Sequence, residues 1–406
     1  MKHRSTIFFL SLLLVAACLI LASCGQSSNC KGLSFGGGGG SGSGGTFNTG
    51  GSVCGPGSGS SNGSGSSAAD ILYYLGNGPL IDAASVTSSS FANMTGYTPV
   101  GFPNSTGFGE NFWIVNKKFL YIPVTPPTTP AGGAVWAYAI TRSSGALSVI
   151  GASPFPTSQH NADIAVSDPQ GRFLFVADKG DGTIAVFTID QNTGALTLSG
   201  SPVSTGSSPT NMTVDGTGSY LYFPYGNFVY GFSIDQNTGA LTPLFSSPFS
   251  VPMKQLQADP SGAYLLGVTG NGFSGDNNVY VIPIAPGTGN LGVPTAFPTT
   301  AGPEFLALSP NGKYLFTFAE DNTLQPLPLE GFTFDATTGT LTTMTNSPFA
   351  SLPKVVTATF DQAGTTMIGV TGSSFTVYAV DANTGAPSSP LPSLSVLHDE
   401  RYAVTN

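Results

Sequence analysis

Charge is what this chain has least of. Only 8% of its 406 residues are charged, with 12 Lys and Arg against 21 Asp and Glu, and it holds 3 His, 4 Cys and 2 Trp. The shortage of cations is uneven. Nine Lys and Arg lie beyond residue 69, together with all 21 acidic residues, which leaves 70–406 at a net charge of −12. A body of that sign argues against nucleic acid or anionic lipid as its partner. The cysteines are Cys18, Cys24, Cys30 and Cys54, so thiol catalysis and a Cys-ligated metal are not expected in the rest of the chain. What is abundant instead is Gly, 54 residues, and Pro, 31 residues, a composition of strands and turns rather than helices.

The first residues are a separate object. Lys2, His3 and Arg4 precede the apolar run "IFFLSLLLVAACLILAS", which reads as an export signal over 1–23, and the run ends in "LASC", which resembles a bacterial lipobox with Cys24 as the lipidated residue. The expectation is a protein exported and lipid-anchored to the bacterial cell envelope, at the outer membrane or cell surface, meeting the membrane through that anchor only. Residues 24–69 then carry "GGGGGSGSGG" and "GPGSGSSNGSGSSAA" with almost nothing apolar, a flexible tether. Cys30 and Cys54 lie in it, and export permits a disulfide between them or two separate thiols.

Repeats organise the remainder. "FTIDQNTGALT" at 187–197 returns as "FSIDQNTGALT" at 232–242, and alignment on the turn glycine gives Gly96, Gly145, Gly194, Gly239, Gly289, Gly339 and Gly385. A second landmark lies upstream in most units, as "DPQGRFLFVAD" at 168 and "DPSGAYLLGVT" at 259. Strand, glycine turn, strand, loop, strand, "NTG" turn, strand is a four-stranded antiparallel meander of propeller-blade size. The prediction for 70–406 is an all-β, seven-bladed β-propeller. The first unit lacks an inner strand and the chain ends in "RYAVTN", so residues 401–406 are expected to supply it and close the ring. Asp190 and Asp235 suit Asx turns better than a calcium loop, which needs more carboxylates than "DQNTG" offers.

Units of this form resemble the lactonase-type seven-bladed propellers, the family of bacterial 6-phosphogluconolactonases and the fungal carboxy-muconate lactonising enzyme. "FVADKGDGTIAVFTID" and the terminal "YAVTN" are also similar to the YVTN repeats of surface-layer propellers. Loops entering the inner strands of a propeller crowd the mouth of its channel. The spacing puts Asn111, Asp163, Thr210, Lys254, Glu304, Val356 and Arg401 there, with His160 and His398 just before two of them. The resemblance implies a ligand at this mouth and a His before an inner strand acting with Arg and Glu; His160 in "SQHNADIAV" is the nearest match.

Whether the chain is an enzyme stays open on these grounds. The first reading is a surface-tethered, monomeric module binding a small molecule, a glycan or an envelope protein at the channel mouth, with no cofactor and no metal. The alternative is a lactonase for a neutral or weakly charged lactone. Its catalytic set would be His160, Asp163, Lys254, Glu304 and Arg401, with His160 the base and Lys254 or Arg401 near the oxyanion. A structural YVTN-type surface component is the third. "ADKGDGT" reads as a strand-to-strand turn holding Asp178 and Asp181, and "GNGFSG" at 270–275 as a hairpin loop, since a strand follows it where a dinucleotide site needs a helix. Trp113 and Trp136 read as packing, with sugar platforms as the alternative.

Overall fold

The computed structural model describes residues 18–20 and 70–395, apart from 76–79, 88, 102–106, 109–110, 112, 126–131, 142, 159, 210, 271–275, 321–325, 362, 372–373 and 389. Seven antiparallel sheets follow one another along the chain. Blade three shows the pattern: Ala162–Ser167 innermost, then Phe173–Asp178, Thr183–Ile189 and Leu196–Leu198 at the rim. The inner strands of blades two and four to seven are Trp113–Val115, Thr213–Val214, Gln255–Ala258, Phe305–Leu308 and Thr357–Phe360.

Period-2 alternation explains why the sheets stand around an axis. In the second strand of blade two, Leu120, Ile122 and Val124 enter one cluster shared with blade one, while Phe119 and Tyr121 enter another shared with blade three. Both faces of every sheet are thus buried, and seven apolar clusters fill seven seams. The seam that makes this a ring joins Leu72, Tyr74, Ala84, Val86 and Phe91 of blade one to Ile368, Val370, Phe375 and Val377 of blade seven.

One detail differs from the expected closure. The place beside Asp70–Leu75 that the spacing reserves for 401–406 holds Cys18–Ile20, antiparallel, with Leu19 opposite Leu72. Main-chain groups at a sheet edge accept any short extended segment, so spacing alone does not choose between two candidates. Residues 401–406 lie outside the described residues, as do Cys24, Cys30 and Cys54. Among the described residues no helix is long and apolar enough to cross a membrane.

Most of the turn glycines meet two demands at once. All seven have φ between 68° and 79°, the left-handed region open to glycine. A Cβ on Gly194 would also lie 2.4 Å from Phe119 Cδ1, on Gly239 2.6 Å from Phe173, and on Gly385 2.3 Å from Tyr314. Five of the seven turns, all but those at Gly96 and Gly145, rest on an aromatic ring of the preceding blade. The Asp of the turn accepts two backbone N–H groups: Asp190 Oδ1 from Asn192 at 2.9 Å and Thr193 at 2.7 Å. These bonds hold the Asp190 carboxyl below its ordinary value.

Around the channel, inner strands are joined by side chains. Asn111 donates from Nδ2 to Ala165 O at 2.7 Å and accepts at Oδ1 from Ala165 N at 2.8 Å. Leu256 N reaches Asn211 Oδ1 at 2.9 Å, and Gln255 and Gln257 accept at Oε1 from Leu306 N and Leu308 N at 2.8 and 2.9 Å. Amide side chains here replace the strand pairing that the propeller geometry leaves out between blades.

Candidate active site

The loop from blade two to the inner strand of blade three carries His160. Ser158 and Asn161 on either side have φ of 66° and 56°, left-handed values uncommon outside glycine and associated with functional segments. The inner strand then slips register between Ala162 and Ile164. Asp163 sits at this irregularity, the kind of feature that re-aims a side chain. Facing the loop is the tight hairpin 178–183 between the second and third strands of the same blade, whose Gly180 lies so close that a Cβ would meet Asn161 Nδ2 at 2.9 Å and His160 Cβ at 3.5 Å.

His160 and Asp181 meet across this gap. His160 N donates to Asp181 Oδ2 at 2.7 Å, and His160 Nδ1 lies 3.0 Å from both carboxylate oxygens. A carboxylate facing Nδ1 selects the tautomer with the proton there, leaving Nε2 as the basic nitrogen. The imidazole is 62% exposed, within reach of a ligand. The backbone bond from His160 holds the Asp181 carboxyl below its ordinary value, with burial opposing and the His160 ring assisting. Lys179 Nζ, from the same hairpin, pairs with Asp163 Oδ2 at 3.1 Å.

Beneath them lies Asp178, 0% exposed. Its Oδ1 accepts from Thr157 Oγ1 at 3.0 Å, while Oδ2 is buried without a hydrogen-bond partner. Gly133 makes room for it, since a Cβ there would stand 2.7 Å from Asp178 Oδ1. Burial pushes the Asp178 carboxyl up to about 7; the Thr157 bond and the His160 ring oppose this, and the charges of Asp181 and Asp163 add to it. Blade three thus gathers an exposed His–Asp pair, a Lys–Asp pair and a buried acid that takes up its proton near neutrality.

The other residues expected at the mouth do not join the His160 cluster. Lys254 Nζ bonds Glu304 Oε2 between blades five and six and stands 4.3 Å over the Phe305 ring, so each charge is committed to the other. Asn111 is buried and bridges to Ala165. Val356 packs on the core between blades six and seven. Thr210, His398 and Arg401 lie outside the described residues. Sequence reasoning left out Asp178, Lys179 and Asp181, treating "ADKGDGT" as a turn. It is a turn, but one aimed at His160, and the signal available was a doubled Asp in the hairpin of a blade whose inner strand follows a His.

The fold is a seven-bladed β-propeller, and the part of it that holds the site is similar to a known family. A family model described as lactonase, 7-bladed beta-propeller, matches residues 133–255, a stretch that contains His160, Asp163, Asp178, Lys179 and Asp181. The 6-phosphogluconolactonase of Formosa agariphila is 36% identical over 66 residues, 16% of this chain and 18% of that relative, so the chain matches under a fifth of the relative's length. Two solved structures share the fold. The periplasmic gluconolactonase of Pseudomonas aeruginosa has a TM-score of 0.60 at 16% identity, covering 80% of this chain and 96% of that one. A candidate 6-phosphogluconolactonase of Bacteroides uniformis has a TM-score of 0.61 at 14% identity, with the same coverage.

Proposed function

We propose that the chain is a lactone hydrolase acting at the His160 mouth. The reading rests on one observation: the His160–Asp181 pair, above a buried Asp178, within the segment that matches the lactonase family. It takes precedence over the binding-module reading because the oriented imidazole lies in the segment that matches the lactonase family.

In this mechanism His160 Nε2 takes a proton from water as the oxygen attacks the lactone carbonyl carbon. Asp181 holds Nδ1–H and stabilises the imidazolium that forms. The ring C–O bond breaks, the alkoxide takes the proton from His160, and the hydroxy acid leaves. Lys179, paired with Asp163 but with 40% of its side chain exposed, supplies the positive charge of the same hairpin to the developing oxyanion. The substrate is a neutral or weakly charged lactone, since Asp163, Asp178 and Asp181 surround a single Lys and a single His; a phosphorylated sugar acid would meet net repulsion.

The test is hydrolysis of a lactone panel by the full chain, with glucono-1,5-lactone and its 6-phosphate included. His160→Ala lowers kcat by about 10²–10⁴, and Asp181→Asn by about 10–10² through loss of ring orientation. Equal turnover in wild type and His160→Ala would end the hydrolase reading; binding without turnover would return the mouth to a ligand-binding role.

A further inference from the structure

A cavity of about 260 Å³ lies at the opposite end of the inner strands, lined by Trp113, Asn116, Ser167, Met212, Thr213 and Val214 among others. The inner strand of blade three runs from Ala162 beside the His160 loop to Ser167 beside this cavity, a span of roughly 16 Å at about 3.3 Å per residue. The two places are separate. Nothing in the proposed hydrolysis uses this one.

Its chemistry is specific. Trp113 is half-buried and packs against the clusters on both sides of blade three. Its Nε1 donates to Ser167 Oγ at 2.9 Å, which fixes the plane of the indole and leaves the Ser167 hydroxyl hydrogen for another acceptor. Thr213 Oγ1 accepts from Ala258 N at 3.1 Å, so its hydrogen is likewise available. Val166, Met212 and Val214 complete an apolar wall. Asp168, the single charged residue of the lining, is saturated: Oδ1 accepts from Arg172 N at 2.6 Å and Phe173 N at 2.9 Å, and Oδ2 from Arg172 Nε at 2.8 Å. A salt-bridged, fully hydrogen-bonded carboxylate adds little attraction for an ion of either sign.

A fixed indole, an apolar wall and hydroxyl donors without net charge suit a molecule with an apolar ring face and a polar edge. The volume, equal to roughly nine waters at about 30 Å³ each, is the size of one such ring. We infer that this cavity is a second ligand site, for a single neutral pyranose stacked on Trp113 and hydrogen-bonded by Ser167 and Thr213.

The chain's two tryptophans make the test direct, because Trp136 is 7% exposed and stacks on Tyr138 within the core. In full-length Trp136→Phe, glucose, galactose and mannose are titrated against the remaining fluorescence, with sorbitol as an open-chain control. The expected result is a saturable change with at least one pyranose and none with sorbitol. Thr213→Val and Ser167→Ala each weaken it about tenfold while the thermal midpoint identifies any variant that fails to fold. His160→Ala leaves the sugar affinity unchanged, which separates this site from the hydrolytic mouth. A flat titration with all three sugars, an affinity indifferent to Thr213→Val and Ser167→Ala, or one abolished by His160→Ala would overturn the proposal.

Discussion

At the scale of the residue, the repeated glycine and the buried acid make opposite demands on the fold. Gly194 combines φ of 73° with a ring atom 2.4 Å from where a Cβ would stand, whereas Gly200 has φ of 74° and nothing within 4 Å. Gly194→Ala therefore loses both conformation and packing, on the order of 3 kcal/mol, and Gly200→Ala only the conformational part, about 1 kcal/mol; urea midpoints of the two variants measure the difference. Asp178 works against stability. Below about pH 4 its carboxyl is protonated in folded and unfolded chain alike. Between there and about 7 only the unfolded chain ionises, so rising pH favours unfolding, and above that the penalty stays at its full value. Asp178→Asn should match wild type near pH 4 and exceed it at pH 8 by a few kcal/mol, read by denaturant unfolding at both pH values. The glycine was legible as a turn residue from the letters N-T-G; its second role was not, since the aromatic ring beneath it belongs to another blade. Asp178 looked like any strand-end Asp for the same reason, as Thr157 and Gly133 reach it from the preceding loop and blade.

Elements repeat the lesson. Strand order and the two turn types followed from alternation and glycine spacing, because both are local. For the polar residues of the inner strands, counting steps from each turn gives a position beside the channel but does not show where a side chain is spent. Asn111 bonds Ala165 and Lys254 bonds Glu304, each across a seam. The glutamines of blade five do the same at two successive rungs, Gln255 to Leu306 and Gln257 to Leu308. Gln255→Ala leaves Leu306 N unpaired near the channel and should cost about 1–2 kcal/mol. Gln257→Ala should cost a similar amount. Their double variant should exceed the sum of the two if the rungs support one another, a comparison made by equilibrium unfolding of all three. The His160 loop was legible for its histidine alone; the hairpin that completes the pair is set by blade geometry.

For the whole molecule, the seam between blades seven and one decides whether seven sheets behave as one body. Tyr74 and Phe375 meet there edge to face, their centroids 5.5 Å apart. Phe375→Ala should cost about 3–5 kcal/mol. In a closed ring that loss appears everywhere at once, so fluorescence from Trp113 and Trp136 in blade two should shift to the same lower midpoint as far-ultraviolet circular dichroism. Separate midpoints would mean that blades melt in sequence. The joined inner strands carry a further consequence. Asn111, Asn211, Gln255 and Gln257 spend their hydrogen-bonding groups on neighbouring backbone, which ties blade two to three and blades four, five and six to one another and stiffens that much of the bore wall. A stiff wall gives a ligand at one end little to bias at the other. The free energies of the proposed sugar binding and the proposed lactone turnover should add without cross-talk, and a double-mutant cycle between Thr213→Val and His160→Ala should close to within about 0.5 kcal/mol.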